Sequence, residues 1–421
     1  MSRYKLNDVP ILKSIILLVS GTGLAQLIPF VVSPILSRLY SPEDFGVFAT
    51  FVSVAALFSV ISSGRYELAI VLPRQALHAK QVVFLSIITL FSSVFLISVG
   101  LYFLNQFVEL ASIFFSLPVA VFAIGLINII DKYNNRNGNY KLMISQRVAK
   151  AGIESALAIC IAIIFDFNNG LIYSFTFSLF LVSVLLAYYI RKDFLKEKAH
   201  PLKCFAVAKK YSDFPYYSLP HGLLNTLSSN LPVYLIPIYY GSPVLGVYAF
   251  GLRMVQAPLG LFSASIYNVL NKSFADNYSQ KKSLKKIFNK SLKTLIVCCI
   301  ITTPIWLYID VIFSIVFGLA WLEAGLYIQH LIPWILMMFI SSPYSSIPQV
   351  FGKQKFALYI EVISFILKLA ALVYFGNGYS IYTTLNMLAT IGALTNLFSL
   401  VWYYLLVSIH DKQLINNTGD I

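Results

Sequence analysis

The chain has 421 residues, 58% of them hydrophobic and only 11% charged, with a formal net charge of +14. Soluble domains carry roughly 25% charged residues, and a mean hydropathy of +0.77 leaves too little polar surface to cover a globule of this size. An ordinary soluble domain is excluded, and the basic balance has to be explained by its distribution along the chain.

The apolar residues come in runs of about 20, enough to cross roughly 30 Å of hydrocarbon as helix. Taken in order, they predict spans at 11–36, 44–63, 81–104, 107–130, 147–165 and 170–190, then at 215–239, 244–270, 291–309, 326–350, 356–375 and 380–409. The expected fold class is an all-α membrane protein of about twelve transmembrane helices. Arg3, Lys5 and Lys13 precede the first run as in a signal peptide. That run is too long for an h-region and lacks a small-residue cleavage site, so a retained helix is expected. Cys160, Cys204, Cys298 and Cys299 lie in or beside apolar runs without metal-ligand spacing and read as packing residues.

With the N-terminus inside, 28 of the 31 Lys and Arg residues fall on one side. They occupy the N-terminal tail, the connections Arg65–Lys80, Lys132–Lys150, Arg191–Lys210 and Lys272–Lys293, then Lys353, Lys355 and Lys412. The opposite side keeps only Arg38, while Arg253 and Lys368 fall inside spans. This asymmetry predicts cytoplasmic termini and accounts for the basic charge without nucleic acid. The longest external connection runs from about Asp310 to Gly325. The lysines of 281–290 suit an amphipathic surface helix on anionic lipid.

An internal repeat is legible. Gly23-Leu24-x-Gln26 is matched by Gly222-Leu223-x-Asn225, and Ser41-Pro42 with Gly46-Val47-Phe48-Ala49 by Ser242-Pro243 with Gly246-Val247-Tyr248-Ala249. Gly138-x-x-Lys141 is matched by Gly352-x-x-Lys355. The order of the matches predicts two parallel six-helix halves around a central cavity, a transporter layout. The expected domains are 1–192, a cytoplasmic linker over 193–214, and 215–421.

Polar stripes at helical spacing mark where such a cavity would lie, or where small residues let helices pack closely. The first helix offers Ser20, Gly23, Gln26, Ser33 and Ser37. The seventh offers Ser218, Gly222, Asn225, Ser229 and Pro232, and the eighth Arg253, Gln256, Gly260, Ser263, Tyr267 and Asn271. An arginine within a span costs about 2.5–3.5 kcal/mol. Arg253 therefore needs water, a bound anion or an ion pair. Glu154 follows Arg147 by seven residues and Lys368 follows Glu361 by seven, with the charges swapped between halves. Ion pairs that exchange during rocking, protonatable carboxylates and static pairing all fit that pattern. Arg38 is expected to pair with Glu43 or Asp44, or to face an anionic head group. His221 and His330 read as hydrogen-bonded packing residues. No P-loop, HExxH, GxSxG or clustered metal-ligand motif is present, so no enzyme, metal site or cofactor is expected.

Three segments carry a family resemblance: Ser20-Gly21-Thr22-Gly23-Leu24-Ala25-Gln26, Leu39-Tyr40-Ser41-Pro42-Glu43-Asp44-Phe45-Gly46, and Gly64-Arg65-Tyr66-Glu67-Leu68-Ala69-Ile70. Together they resemble the start of polysaccharide (O-antigen) unit flippases of the multidrug/oligosaccharidyl-lipid/polysaccharide exporter superfamily. The resemblance implies a bacterial inner-membrane protein that moves an undecaprenyl-pyrophosphate-linked oligosaccharide to the periplasmic leaflet. Coupling to a proton or sodium gradient is compatible with the protonatable carboxylates, and the polymerase and chain-length machinery of the same pathway are the partners that the resemblance suggests. On that reading Arg253 binds the pyrophosphate. Gln256, Lys368, Asn225, Gln26 and Arg38 are the further substrate-binding candidates, and Glu361, Glu154, Arg65 and Glu67 are candidates for coupling or gating. A drug or cation antiporter of the same superfamily and an O-antigen polymerase are the alternatives. A polymerase usually has a larger external loop than this chain offers.

Overall fold

The computed structural model describes residues 11–107, 112–165, 169–195 and 204–419. Arg3, Lys5 and the lysines at 196, 198 and 203 lie outside them, as do the side chains of Lys13, Ser20 and Lys192.

Among the described residues every regular element is helical. The order is α1 (Ile11–Leu39), α2 (Pro42–Ser62), α3 (Ala76–Leu104), α4 (Leu117–Asn137), α5 (Tyr140–Phe165), α6 (Gly170–Leu195), α7 (Cys204–Lys210) and α8 (Leu219–Tyr240). There follow α9 (Ser242–Ser279), α10 (Lys285–Leu307), α11 (Ile309–Phe317), α12 (Leu322–Ser341), α13 (Ile347–Val350), α14 (Gln354–Gly376) and α15 (Ile381–Gly419). Among the described residues nine helices are long and apolar enough to cross a membrane: α2, α3, α4, α6, α9, α10, α12, α14 and α15. The apolar stretch of α1 within the described residues, Gly23–Leu39, is shorter. Of the other long helices, α5 carries Lys141, Arg147, Lys150 and Glu154, and α8 carries three prolines with His221, Asn225 and Asn230. The protein is therefore an all-α, multi-pass membrane protein.

Two expectations are corrected. The fourth helix runs seven residues further than its apolar run, because Gly138, at φ +72°, ends it in a left-handed cap. Lys132 and Arg136 thus sit in the last turns of α4 and Lys141, Arg147 and Lys150 in α5, not in a loop. Likewise, the expected connection from Asp310 to Gly325 contains the helix α11. Its Phe313 and Phe317 are buried and pack edge-on to Phe250 of α9.

Contacts group the chain into two compact units, Met1–Tyr234 and Leu235–Ile421. The boundary falls within α8. In the first unit α1 lies along α5, so closely that a Cβ on Gly21 would come within 2.9 Å of Ile144 Cβ. α4 packs against α2, α3 and α6. The α1–α2 corner is built by the segment Tyr40–Phe45. Ser41 and Asp44 form a capping box at the start of α2, with Pro42 in the first turn, so the orphan N–H groups of the helix are answered locally. Tyr40 is buried, donates its hydroxyl to the Ala158 carbonyl at 2.7 Å, and lies against Gly170 at the start of α6. Burial, with Asp44 nearby, pushes the Tyr40 hydroxyl up to about 12, so it remains a donor at any physiological pH.

The second unit repeats these devices with its own residues. Tyr240 places its hydroxyl 3.2 Å from the Phe375 carbonyl, 3.1 Å from that of Tyr379 and 2.6 Å from Thr384 Oγ1, at the α14–α15 corner. The turns before α5 and α14 share one geometry as well. Gly138 donates to Asn135 O (3.2 Å) and Asn139 to Asn134 O (2.9 Å), while Gly352 donates to Gln349 O (3.2 Å) and Lys353 to Pro348 O (2.7 Å). Both are Schellman caps, and their glycines sit at φ +72° and +65°, where only glycine is unstrained.

Candidate functional site

In the first unit the polar groups gather where α2 ends. Gly64 and then Arg65 adopt left-handed backbone, with Arg65 at φ +60°. This costs an L residue roughly 1–2 kcal/mol, and strain of that kind collects at functional positions. The chain then enters a 3₁₀ turn, Tyr66–Val71, in which Glu67 is buried. Ser63 Oγ donates to the Glu67 carboxylate, and Arg65 Nη1 lies 3.8 Å from its other oxygen. The last carbonyls of α2 are answered from α3: Thr89 Oγ1 donates to Ser63 O (3.1 Å) and Ser93 to Ser62 O. Arg136, at the end of α4, donates to the carbonyls of Ile70 (3.4 Å), Val71 (3.3 Å) and Arg74 (3.3 Å), clamping the far end of the turn.

The Arg65 guanidinium rests on the backbone of α8. A Cβ built on Gly222 would lie 2.7 Å from Arg65 Cζ and 2.8 Å from its Nε. Arg65 Nε is itself buried, without a hydrogen-bond partner among the described residues. The approach to α8 is led by a π-helical turn, Phe214–Ser218, a rare element often found at functional sites. Tyr66 lies within electrostatic reach of Tyr216 on that turn, and burial raises the Tyr66 hydroxyl above its ordinary pKa. Two turns along, Ser53 Oγ donates to Asn230 Oδ1 (3.2 Å) and Tyr234 donates to Ser53 O (2.9 Å). These ties explain why most of α8 groups with the first unit.

In the second unit, Arg253 projects from α9 and is exposed. Among the described residues nothing accepts a hydrogen bond from it or pairs with it. Met254 and Val255 beside it are buried, so α9 turns one face to its neighbours and leaves the Arg253 face open. Gln256 is half-buried on that face, and Gly260 has nothing within 4 Å of the position its Cβ would take. On α14, Lys368 Nζ sits 4.9 Å from the centre of the Trp334 ring. Glu361, two turns earlier, is half-buried and has no salt bridge within 4 Å among the described residues, though it lies within electrostatic reach of Lys368. His330 Nδ1 meets Asn386 Oδ1 at 2.8 Å and Ser341 donates to Asn396 at 2.8 Å, so α12 and α15 are joined by a polar ladder.

Several expected residues are placed differently. Arg38 is exposed and pairs with neither Glu43 nor Asp44, because Asp44 is held in the capping box. Glu154 pairs with Lys150 one turn back, and Arg147 lies 3.5 Å from Asp131 of α4, so the seven-residue spacing pairs neither with the other. Ser33 and Ser37 are buried and donate to Phe30 O (2.6 Å) and Pro34 O (3.0 Å) on their own helix. They are packing residues rather than a polar lining. Gln26 and Asn225 are exposed at related places on α1 and α8. Sequence reasoning missed Ser63, Arg136 and the Ser53–Asn230–Tyr234 tie. By charge alone Arg136 reads as one more cation at a membrane face, and only its three carbonyl partners give it a distinct part.

The fold is that of the MATE-like transporters of the MOP superfamily. A MOP superfamily transporter from Pyrococcus furiosus, described by the reverse polarity of its binding pocket, superposes with a TM-score of 0.62 at 14% identity, over 94% of this chain and 96% of that one. Two multidrug resistance MATE family structures agree as closely. The inward-facing one has a TM-score of 0.61 at 15% identity over 94% of both chains. The outward-facing one has 0.60 at 14% identity over 95% and 96%. At the level of sequence, residues 35–325 match the profile of the polysaccharide biosynthesis protein family, and the chain belongs to that family. No curated protein matches the sequence.

Proposed function

We propose that the protein flips undecaprenyl-pyrophosphate-linked oligosaccharide units, of an O-antigen or capsule, from the cytoplasmic to the periplasmic leaflet of a bacterial inner membrane. The observation that carries this reading is Arg253, a guanidinium without an ion pair among the described residues, on the open face of a membrane-crossing helix, in a chain of a polysaccharide biosynthesis family. Water, an ion pair or a bound anion can answer such a charge; among the described residues no ion pair does, and a guanidinium matches a diphosphate through paired hydrogen bonds. In this reading two six-helix halves rock about a central cavity lined by Arg253, Gln256, Asn225, Gln26 and Lys368. The head group crosses there while the polyprenyl tail stays in lipid. Structures of both inward-facing and outward-facing relatives with this fold support alternating access. Glu361, which has no salt bridge within 4 Å among the described residues, is the preferred carboxylate for coupling to a proton or sodium gradient, ahead of Glu154, which Lys150 neutralises.

The test is complementation of a strain lacking the gene, with membrane protein level measured in parallel. Losing a charge-assisted bond to an anion costs about 1.5–3 kcal/mol, so Arg253→Ala slows export by roughly one to two orders of magnitude at limiting substrate. Lipid-linked single units accumulate inside, and Arg253→Lys is intermediate. Full export by a normally expressed Arg253→Ala variant overturns the assignment.

A further inference from the structure

α3, α4 and α6 do not close completely on one another. Between them lies a cleft of about 600 Å³. Val83 and Ile87 line it from α3, Leu126 and Ile130 from α4, and Ala187 and Ile190 from α6. Its two walls belong to two separate core clusters of the first unit, one built on Val83 and Ile129, the other on Ile130 and Ile190. At the end of α6 the lining changes from hydrocarbon to Arg191, which is exposed and stacks on Tyr188, its Cζ 3.7 Å from the ring centre. Stacking uses a face of the guanidinium and leaves its N–H edge available. Among the described residues no carboxylate or carbonyl accepts from it. Lys80, at the same end, is already engaged: its Nζ donates to Asp193 O at 2.6 Å, and Phe194, 5.9 Å from that ammonium, also lines the cleft.

Protein interiors are packed to the density of organic crystals and keep few voids larger than a water molecule. Water does not fill an apolar space of this size, since each molecule needs two or more polar partners. The remaining solvent is the bilayer itself. We propose that the α3–α4–α6 cleft holds an acyl chain of an anionic phospholipid, with the lipid phosphate on Arg191. The guanidinium fork suits phosphate geometry, and one cation at the mouth fits one phosphodiester. The cleft volume falls in the range of sites that enclose small ligands. This assignment is independent of the transport reading, which rests on Arg253 in the other unit.

The experiment uses the full-length protein, delipidated and titrated with phosphatidylglycerol or phosphatidylcholine, with bound lipid counted by native mass spectrometry. The wild type binds phosphatidylglycerol about tenfold more tightly, because the choline ammonium of phosphatidylcholine offsets the charge of the same phosphate and is repelled by Arg191. Arg191→Ala removes that preference. Ala187→Phe fills the cleft with an apolar ring and abolishes retained lipid, and Ile87→Phe does so from the opposite wall, so misfolding of one variant leaves the other to decide. Equal affinity of the wild type for the two lipids, an unchanged preference in Arg191→Ala, or undiminished retention in a folded filling variant each overturns the proposal.

Discussion

Arg65 combines a left-handed backbone, a buried carboxylate partner and a guanidinium pressed on the bare backbone of Gly222. A methyl group at Gly222 cannot share that space, so Gly222→Ala displaces the arginine and lowers thermal stability by several degrees, on the order of 1–3 kcal/mol. The double variant Gly222→Ala/Arg65→Ala loses no more than Arg65→Ala alone, because the clash is gone. Additive losses in a melting-temperature cycle would contradict the contact. None of this was legible in the sequence. Gly222 stood out there as a repeat of Gly23, and Arg65 as part of a family motif, but 157 residues separate them, and no periodicity links residues that far apart. Arg253 is the opposite case. A lone charge in an apolar run is visible without coordinates, since the cost of burying it is a property of the residue type.

At the scale of elements, apolar runs located the helices well and located their ends poorly. α2, α8 and α14 begin and end within four residues of the expected spans, because each apolar run is bounded by turn residues. α4 and α9 continue past their apolar runs, as hydropathy ends where the hydrocarbon ends while a helix ends where a cap is found. α9 ends at Ser279, closed by Lys281 in left-handed backbone at φ +52°. The next helix, α10, receives its N-cap from a distance. Asp411 of α15 accepts from Leu284 N (2.9 Å), from Lys285 N (3.1 Å) and from the Ser283 hydroxyl. One carboxylate thereby fixes the basic segment 281–293 to the base of α15. Asp411→Ala leaves these donors unanswered and frees the segment, so limited trypsin digestion cuts earlier among Lys281–Lys286 than in the wild type. Unchanged cleavage would show the segment to be held by other contacts, such as Phe288 packed on Tyr344.

At the scale of the molecule, the expectation of 28 cations on one side carries a topology that can be read directly. Reporter fusions after Arg191 and after Lys286 report cytoplasm, and fusions at Gly241 and Asn377 report periplasm. A periplasmic signal from Lys281–Lys293 would invert the assignment of every span. The duplicated corner devices, Tyr40 in one unit and Tyr240 in the other, were only partly legible. The sequence match singled out Ser41-Pro42 and Ser242-Pro243, next to the tyrosines that make the ties. A tyrosine rivet of this kind turns each corner into a fulcrum. In the first unit it binds the α1–α2 corner to Ala158 of α5 and to the start of α6 at Gly170, while α1 and α5 stay paired along their length through the close approach at Gly21. A helix of 29 residues is about 43 Å long, so a tilt of about ten degrees at the riveted end sweeps the opposite end through about 7.5 Å. Rotations too small to disturb the core at the fulcrum are therefore magnified into a wide stroke at the distant mouth of the pair.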